Sequence, residues 1–99
     1  MKEDVIFVTI SHIDDFDKVV TLKSGDRLIL RKERDNESDD EAIAVYKKDM
    51  KCGYVANSVS EVARGTYSAG RVYDRMEDQK ECVMRFLFAE DGHGIAQVL

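Results

Sequence analysis

Ala42-Ile43-Ala44-Val45-Tyr46, then Lys47-Lys48-Asp49-Met50, then Lys51-Cys52-Gly53-Tyr54-Val55 is the stretch on which the fold of this chain turns. Residues 42–46 form a short apolar run of the kind found in a strand buried on both faces. The polar tetrapeptide after it suits a hairpin turn, and residues 51–55 return as a second strand. Gly53 lies inside that second strand, which marks a bulge or a close approach of another piece of backbone.

Working outward from this hairpin, residues 5–10 and 17–22 are rich in β-branched and aromatic side chains and read as two further strands. The glycine turn Lys23-Ser24-Gly25-Asp26 leads into residues 27–31, where Leu28 and Leu30 alternate with Arg27, Ile29 and Arg31. That alternation gives one apolar and one mixed face and carries Arg31 and Lys32 to a barrel rim. On the C-terminal side, Asn57 or Ser58 has the look of a helix N-cap, since Ser58-Val59-Ser60-Glu61 has capping-box spacing and Gly65 suits the left-handed residue that ends a helix. A strand is expected over residues 71–76, a stronger one over 82–88, and a last edge strand over 95–99. Five to seven short strands with one or two short helices define an all-β, OB-like, closed or partly open barrel.

The chain has 99 residues, which is enough for one domain over residues 1–99 without disulfides or metal. With 43% hydrophobic and 35% charged residues it is a globular chain with a well-solvated exterior. Cys52 and Cys82 each sit in an alternating apolar segment, where a free thiol behaves as a small hydrophobe. The apolar run 5–10 is too short for a signal or a membrane span, so a cytoplasmic protein is expected.

A net charge of −5 excludes a protein that coats nucleic acid by bulk attraction, which needs clustered cations against phosphates. The distribution is uneven, however. Lys18, Lys23, Arg27, Arg31, Lys32 and Arg34 make one basic segment, and Asp35, Glu37, Asp39, Asp40 and Glu41 make an acidic loop directly after it. Such a loop is most simply a solvated turn, with Asn36 and Asp39 bonding nearby backbone.

Catalytic parts are missing from the pattern: there is no Walker-type glycine loop and no serine in a nucleophile-elbow context. His12, His93, Cys52 and Cys82 show no ligand spacing for zinc. Asp35-x-Glu37-x-Asp39 opens like a calcium loop, but Asp40 and Tyr46 stand where glycine and a bidentate glutamate belong. A weak divalent ion at Glu37, Asp39 and Asp40, of the sort a nuclease would need, is the remaining metal reading. The expectation is a non-enzyme with no cofactor and no bound metal.

Four blocks in order, Gly25-Asp26-Arg27-Leu28, Lys32-Glu33-Arg34-Asp35-Asn36, Asp39-Asp40-Glu41-Ala42-Ile43-Ala44-Val45 and Gly53-Tyr54-Val55-Ala56, resemble the HIRAN domain in residue type and spacing. The likeness runs on through Ala56-Asn57-Ser58, Gly65-Thr66 and Ser68-Ala69-Gly70-Arg71-Val72-Tyr73-Asp74, as in small stand-alone bacterial members, and covers roughly residues 5–88. The resemblance implies a module that holds single-stranded DNA, at its 3′ end, in a pocket beside the acidic loop, and serves DNA repair or processing. By motif position, Asp39 would accept a hydrogen bond from the terminal hydroxyl and Asn36 would shape the pocket. Tyr54 and Asn57 would lie at its edge, while Arg31, Lys32 and Arg71 would complete the nucleic-acid-binding set. A separate DNA-processing ATPase or nuclease would be the partner protein.

Two stretches depart from the family pattern. Glu37 and Ser38 stand where many members have proline and an aromatic, and Ser11-His12-Ile13-Asp14-Asp15-Phe16 replaces a glycine with paired aromatics. His12 or Phe16 is the candidate to supply the missing ring. The net acidity and lost aromatics also support a second expectation, a protein-interaction adaptor within a DNA-processing complex.

Overall fold

The computed structural model describes residues 5–13, 22–88 and 92–99. Its strands are β1 (Phe7–Ser11), β2 (Arg27–Lys32), β3 (Ile43–Lys47), β4 (Met50–Val55), β5 (Gln79–Phe88) and β6 (His93–Val98), with one helix, α1 (Ala69–Tyr73), between β4 and β5. The six strands form a closed barrel in the order β1-β4-β3-β2-β5-β6, each pairing around the ring antiparallel. The OB-like all-β expectation therefore stands, and the barrel is closed. The last strand is no edge: β6 pairs with β5 on one side and β1 on the other, which closes the ring.

Period-two alternation builds the core. Leu28 and Leu30 point inward from β2, and Val8, Ile10, Ile43, Val45, Cys52, Cys82, Met84 and Ala96 meet them from the other strands. β3 is buried on both faces at Ile43-Ala44-Val45, as its unbroken apolar run implies. β1 carries the buried polar residue Thr9, whose hydroxyl accepts from the Ala63 N–H at 3.0 Å and lies 2.8 Å from the Thr66 hydroxyl. Residues 63–67 thus seal the outer face of β1, and the Tyr67 N–H donates to the Phe7 carbonyl at 2.7 Å.

Gly53 combines both features read for it. Cys52 is an extra residue on β4, because Val45 pairs with Gly53 while Tyr46 pairs with Lys51. A Cβ on Gly53 would lie 2.9 Å from both Ile10 Cγ2 and the Ser11 carbonyl oxygen, so only glycine lets β1 pack this closely.

Two expectations after β4 are corrected. Residues 58–65 form turns and not a helix, with the Glu61 and Val62 N–H groups both donating to the Ser58 carbonyl. No apolar stripe holds that segment down, and Val59 is 95% exposed. Residues 71–76 are not a strand. Ser68 caps α1 by accepting from the Arg71 N–H, and Ala69 and Val72, three apart, bury one helical face. The strand expected at 17–22 falls, apart from Leu22, outside the described residues.

Candidate nucleic-acid interface

The loop from β2 to β3 is built by its own side chains. The Glu33 N–H donates to the Ala42 carbonyl at 2.9 Å and closes the loop base. Asn36 Oδ1 accepts from the backbone N–H groups of Ser38 and Asp39 at 2.9 and 3.0 Å, and Asp39 Oδ1 accepts from the Glu41 N–H at 2.9 Å. Such Asx contacts let a polar, proline-free loop hold one shape. The other carboxylate oxygen, Asp39 Oδ2, accepts from Asn57 Nδ2 at 3.3 Å. A carboxylate oxygen offers about two lone pairs, so a half-buried Asp39 keeps accepting capacity toward a ligand.

Asn36, Ser38, Asp39, Tyr54 and Asn57 surround a cleft of about 360 Å³, to which Ala42 and Val55 add apolar surface. His12 and Glu61 line it from the far side, with His12 Nε2 3.7 Å from Glu61 Oε2. β1 is followed by a left-handed residue, His12 at φ 61°, a conformation that His, like Asn and Asp, adopts more readily than other non-glycine residues. It sets the imidazole edge-on to Tyr54, ring centres 6.5 Å apart. Of the two rings proposed to replace the missing aromatics, His12 is at the cleft. Phe16 lies outside the described residues.

A second cleft of about 500 Å³ adjoins the first, sharing Asn36, and is lined by the cations Arg31, Lys32 and Lys51, the carboxylates Glu33 and Asp35, and Tyr46. The Arg31 guanidinium carbon lies 4.5 Å from the centre of the Tyr46 ring, and Lys32 Nζ lies 4.2 Å from that of Tyr73. Between the clefts stands a polar network. Lys51 Nζ is 2.7 Å from Glu33 Oε2, and Tyr54 Oη and Asn36 Nδ2 donate to Glu33 Oε1 at 2.9 and 2.8 Å. Burial alone would raise the Glu33 carboxyl, but those donors outweigh it and hold it below its ordinary value. The hydrogen bond to Glu33 pushes the Lys51 ammonium up.

Of the seven residues assigned by motif, Asn36, Asp39, Tyr54 and Asn57 meet at the first cleft, and Arg31 and Lys32 at the second. Arg71 lines neither. It stacks 4.0 Å from the centre of the Tyr67 ring, which Arg75 also covers at 5.2 Å. Glu33 and Lys51 belong to the site without having been picked out as site residues. Strand parity hides Lys51: three residues from Tyr54, it should face the opposite side, but the extra residue Cys52 returns both to one face. Among the described residues no group of three or more His, Cys, Asp or Glu side chains is placed to hold a metal ion, and no helix is long and apolar enough to cross a membrane.

A closed antiparallel barrel with a cleft at its β2–β3 loop and cations beside it defines a small OB-like module. The HIRAN domain model matches residues 5–85, and the chain belongs to the HIRAN domain family. The HIRAN domain is generally a nucleic-acid-binding domain. No curated protein matches the chain, and no solved structure does.

Proposed function

We propose that this domain binds single-stranded DNA by its 3′ end, in DNA repair or processing and without catalysis of its own. The observation that carries this reading is the junction of the two clefts at Asn36. A terminal nucleotide in the smaller cleft would offer its 3′-hydroxyl to Asp39, and the preceding phosphates would run past Arg31 and Lys32. Tyr54 and His12 supply ring surface at the pocket, where stacking contributes about 1–3 kcal/mol per base. A separate ATPase or nuclease would then act on the held strand.

Fluorescence anisotropy with a labelled oligodeoxythymidine tests this. Binding that falls with salt and weakens when the 3′-hydroxyl is phosphorylated supports end capture. No binding at about 100 μM in low salt, the weak limit of nonspecific association, rejects it.

A different observation favours a protein-interaction adaptor. A cleft of about 650 Å³ lies away from the loop and is lined by Ile6, Val72, Met76 and Val98 with Arg75 and Lys80. Exposed Val5 and Leu99 extend its apolar edge. The adaptor reading prevails if a partner protein protects this cleft while no oligonucleotide touches the loop.

A further inference from the structure

Lys51 Nζ, Tyr54 Oη and Asn36 Nδ2 come from two elements and converge on a single carboxylate, that of Glu33. Lys51 also donates to Tyr54 Oη at 3.1 Å, so the ammonium and the phenol are mutually positioned. An ammonium, a hydroxyl and an amide N–H around one anion make a built anion receptor, which the chain fills with its own side chain. It opens into the second cleft, where Arg31, Lys32 and Lys51 outnumber Glu33 and Asp35: the Glu33 and Lys51 side chains are 19% and 30% exposed, within reach of an incoming group.

We infer that the Lys51–Tyr54–Asn36 donor cluster is a phosphodiester site and that the Glu33 carboxylate is a displaceable occupant of it. This rests on the nucleic-acid reading above and adds a phosphate contact that no family motif position supplied. A phosphodiester carries the same single charge as a carboxylate and likewise presents two acceptor oxygens. Exchange therefore leaves the Lys51 pairing intact while Glu33 moves to solvent. With Glu33 in place, Lys51 adds little to the attraction felt by a passing polyanion. It engages only when a strand already held at Asp39 and Arg31 brings a phosphate to it. The site thus favours an anchored strand over loose contact, in a chain whose net charge of −5 already discourages the latter.

The test uses the full chain and two probes, a 5′-labelled oligodeoxythymidine and inorganic phosphate. Glu33→Gln removes the competing charge but keeps an acceptor for Tyr54. It is expected to bind the oligonucleotide several-fold more tightly than the native chain at low salt, with a log–log salt slope steeper by about 0.7, the increment for one more phosphate on a single strand. Lys51→Met in the Glu33→Gln background is expected to cancel the gain. Thermal melts and amide NMR spectra establish that each variant is folded. Glu33→Ala provides the second variant if the glutamine substitution disturbs the loop. If the native chain binds the oligonucleotide and neither folded Glu33 variant binds it more tightly, the carboxylate is a fixed strut and the inference falls while the nucleic-acid reading stands. If no variant binds the oligonucleotide but phosphate shifts the Lys51 and Tyr54 resonances in Glu33→Gln, the anion site stands and the nucleic-acid reading falls. Silence with both probes overturns both.

Discussion

Asn57 joins the acidic loop to the helix: its Nδ2 donates to Asp39 Oδ2 at 3.3 Å while its Oδ1 accepts from the Gly70 N–H at 2.9 Å. The amide orientation follows from these opposed partners, because turning it over would set a donor against the Gly70 N–H. The first turn of α1 and the pocket carboxylate are therefore coupled through one side chain. Asn57→Ala removes the acceptor for an N–H in the first helical turn, a loss of about 1 kcal/mol by analogy with a lost cap. Chemical denaturation should register that decrease, and hydrogen exchange should show it concentrated at residues 69–73. A uniform change across the barrel would contradict the coupling.

Asp39 separates a loop role from a ligand role. Asp39→Ala leaves the Glu41 N–H and the Asn57 amide without an acceptor, and the folded state should lose about 1–2 kcal/mol. If the carboxylate also meets a terminal hydroxyl, affinity for a 3′-hydroxyl strand should fall roughly tenfold, about 1.4 kcal/mol, whereas affinity for a 3′-phosphate strand should hardly change. Equal losses for both strands would assign Asp39 to the loop alone.

Gly53→Ala should be among the most damaging single-methyl additions in the chain. The new Cβ would sit 2.9 Å from the Ser11 carbonyl, a backbone atom in β1 that cannot rotate away. Overpacking of this kind costs about 1–3 kcal/mol and would spread the β1–β4 seam, which is held in register by Ile10 with Val55 and Ser11 with Tyr54. A melting temperature equal to that of the native chain would show that the seam relaxes freely.

The barrel was legible because its strands obey simple alternation. Leu28 and Leu30 against Arg27 and Arg31, and the unbroken run at residues 42–46, state which faces are buried. The helix starts after Ser68 and not at the capping-box spacing of Ser58, because Ala69 and Val72 have a core to bury against and the exposed Val59 does not. At the site, Asn36, Asp39, Tyr54 and Asn57 could be placed by motif, since a loop and the end of a strand bring them together whatever the details. Glu33 and Lys51 could not. Their meeting depends on the Cys52 bulge and on cross-strand geometry, which a linear pattern of residues does not carry. Arg71 shows the converse: the motif position is present, and α1 directs its guanidinium onto Tyr67, away from both clefts.

The two thiols should be inert in the native protein. Cys52 and Cys82 are 1% and 0% exposed, and burial pushes their thiols up to about 11 and about 12. Since the thiolate is the reactive form, a disulfide reagent at about pH 8 should release no chromophore until denaturant is added. Rapid reaction of one thiol under native conditions would mean that the barrel opens locally at β4 or β5.

Acid should weaken the fold through Glu33 in a defined window. Its donors hold the folded-state carboxyl below the ordinary 4.5 despite the opposing effect of burial. A depressed carboxyl contributes stability that is fully present above the unfolded value and is lost as pH falls through the folded one. Asp26 behaves alike: burial would raise it, but Lys47 and the Lys23 N–H draw it below 3.8. Stability should therefore be flat with respect to these two groups above about pH 5 and decline below it. Glu33→Gln has no carboxyl to protonate, so its unfolding free energy should start lower at neutral pH and fall less steeply as pH drops below about 4.5. Parallel acid limbs for Glu33→Gln and the native chain would mean that Lys51 and Tyr54 do not stabilise the Glu33 charge, and the anion receptor between the two clefts would lose its basis.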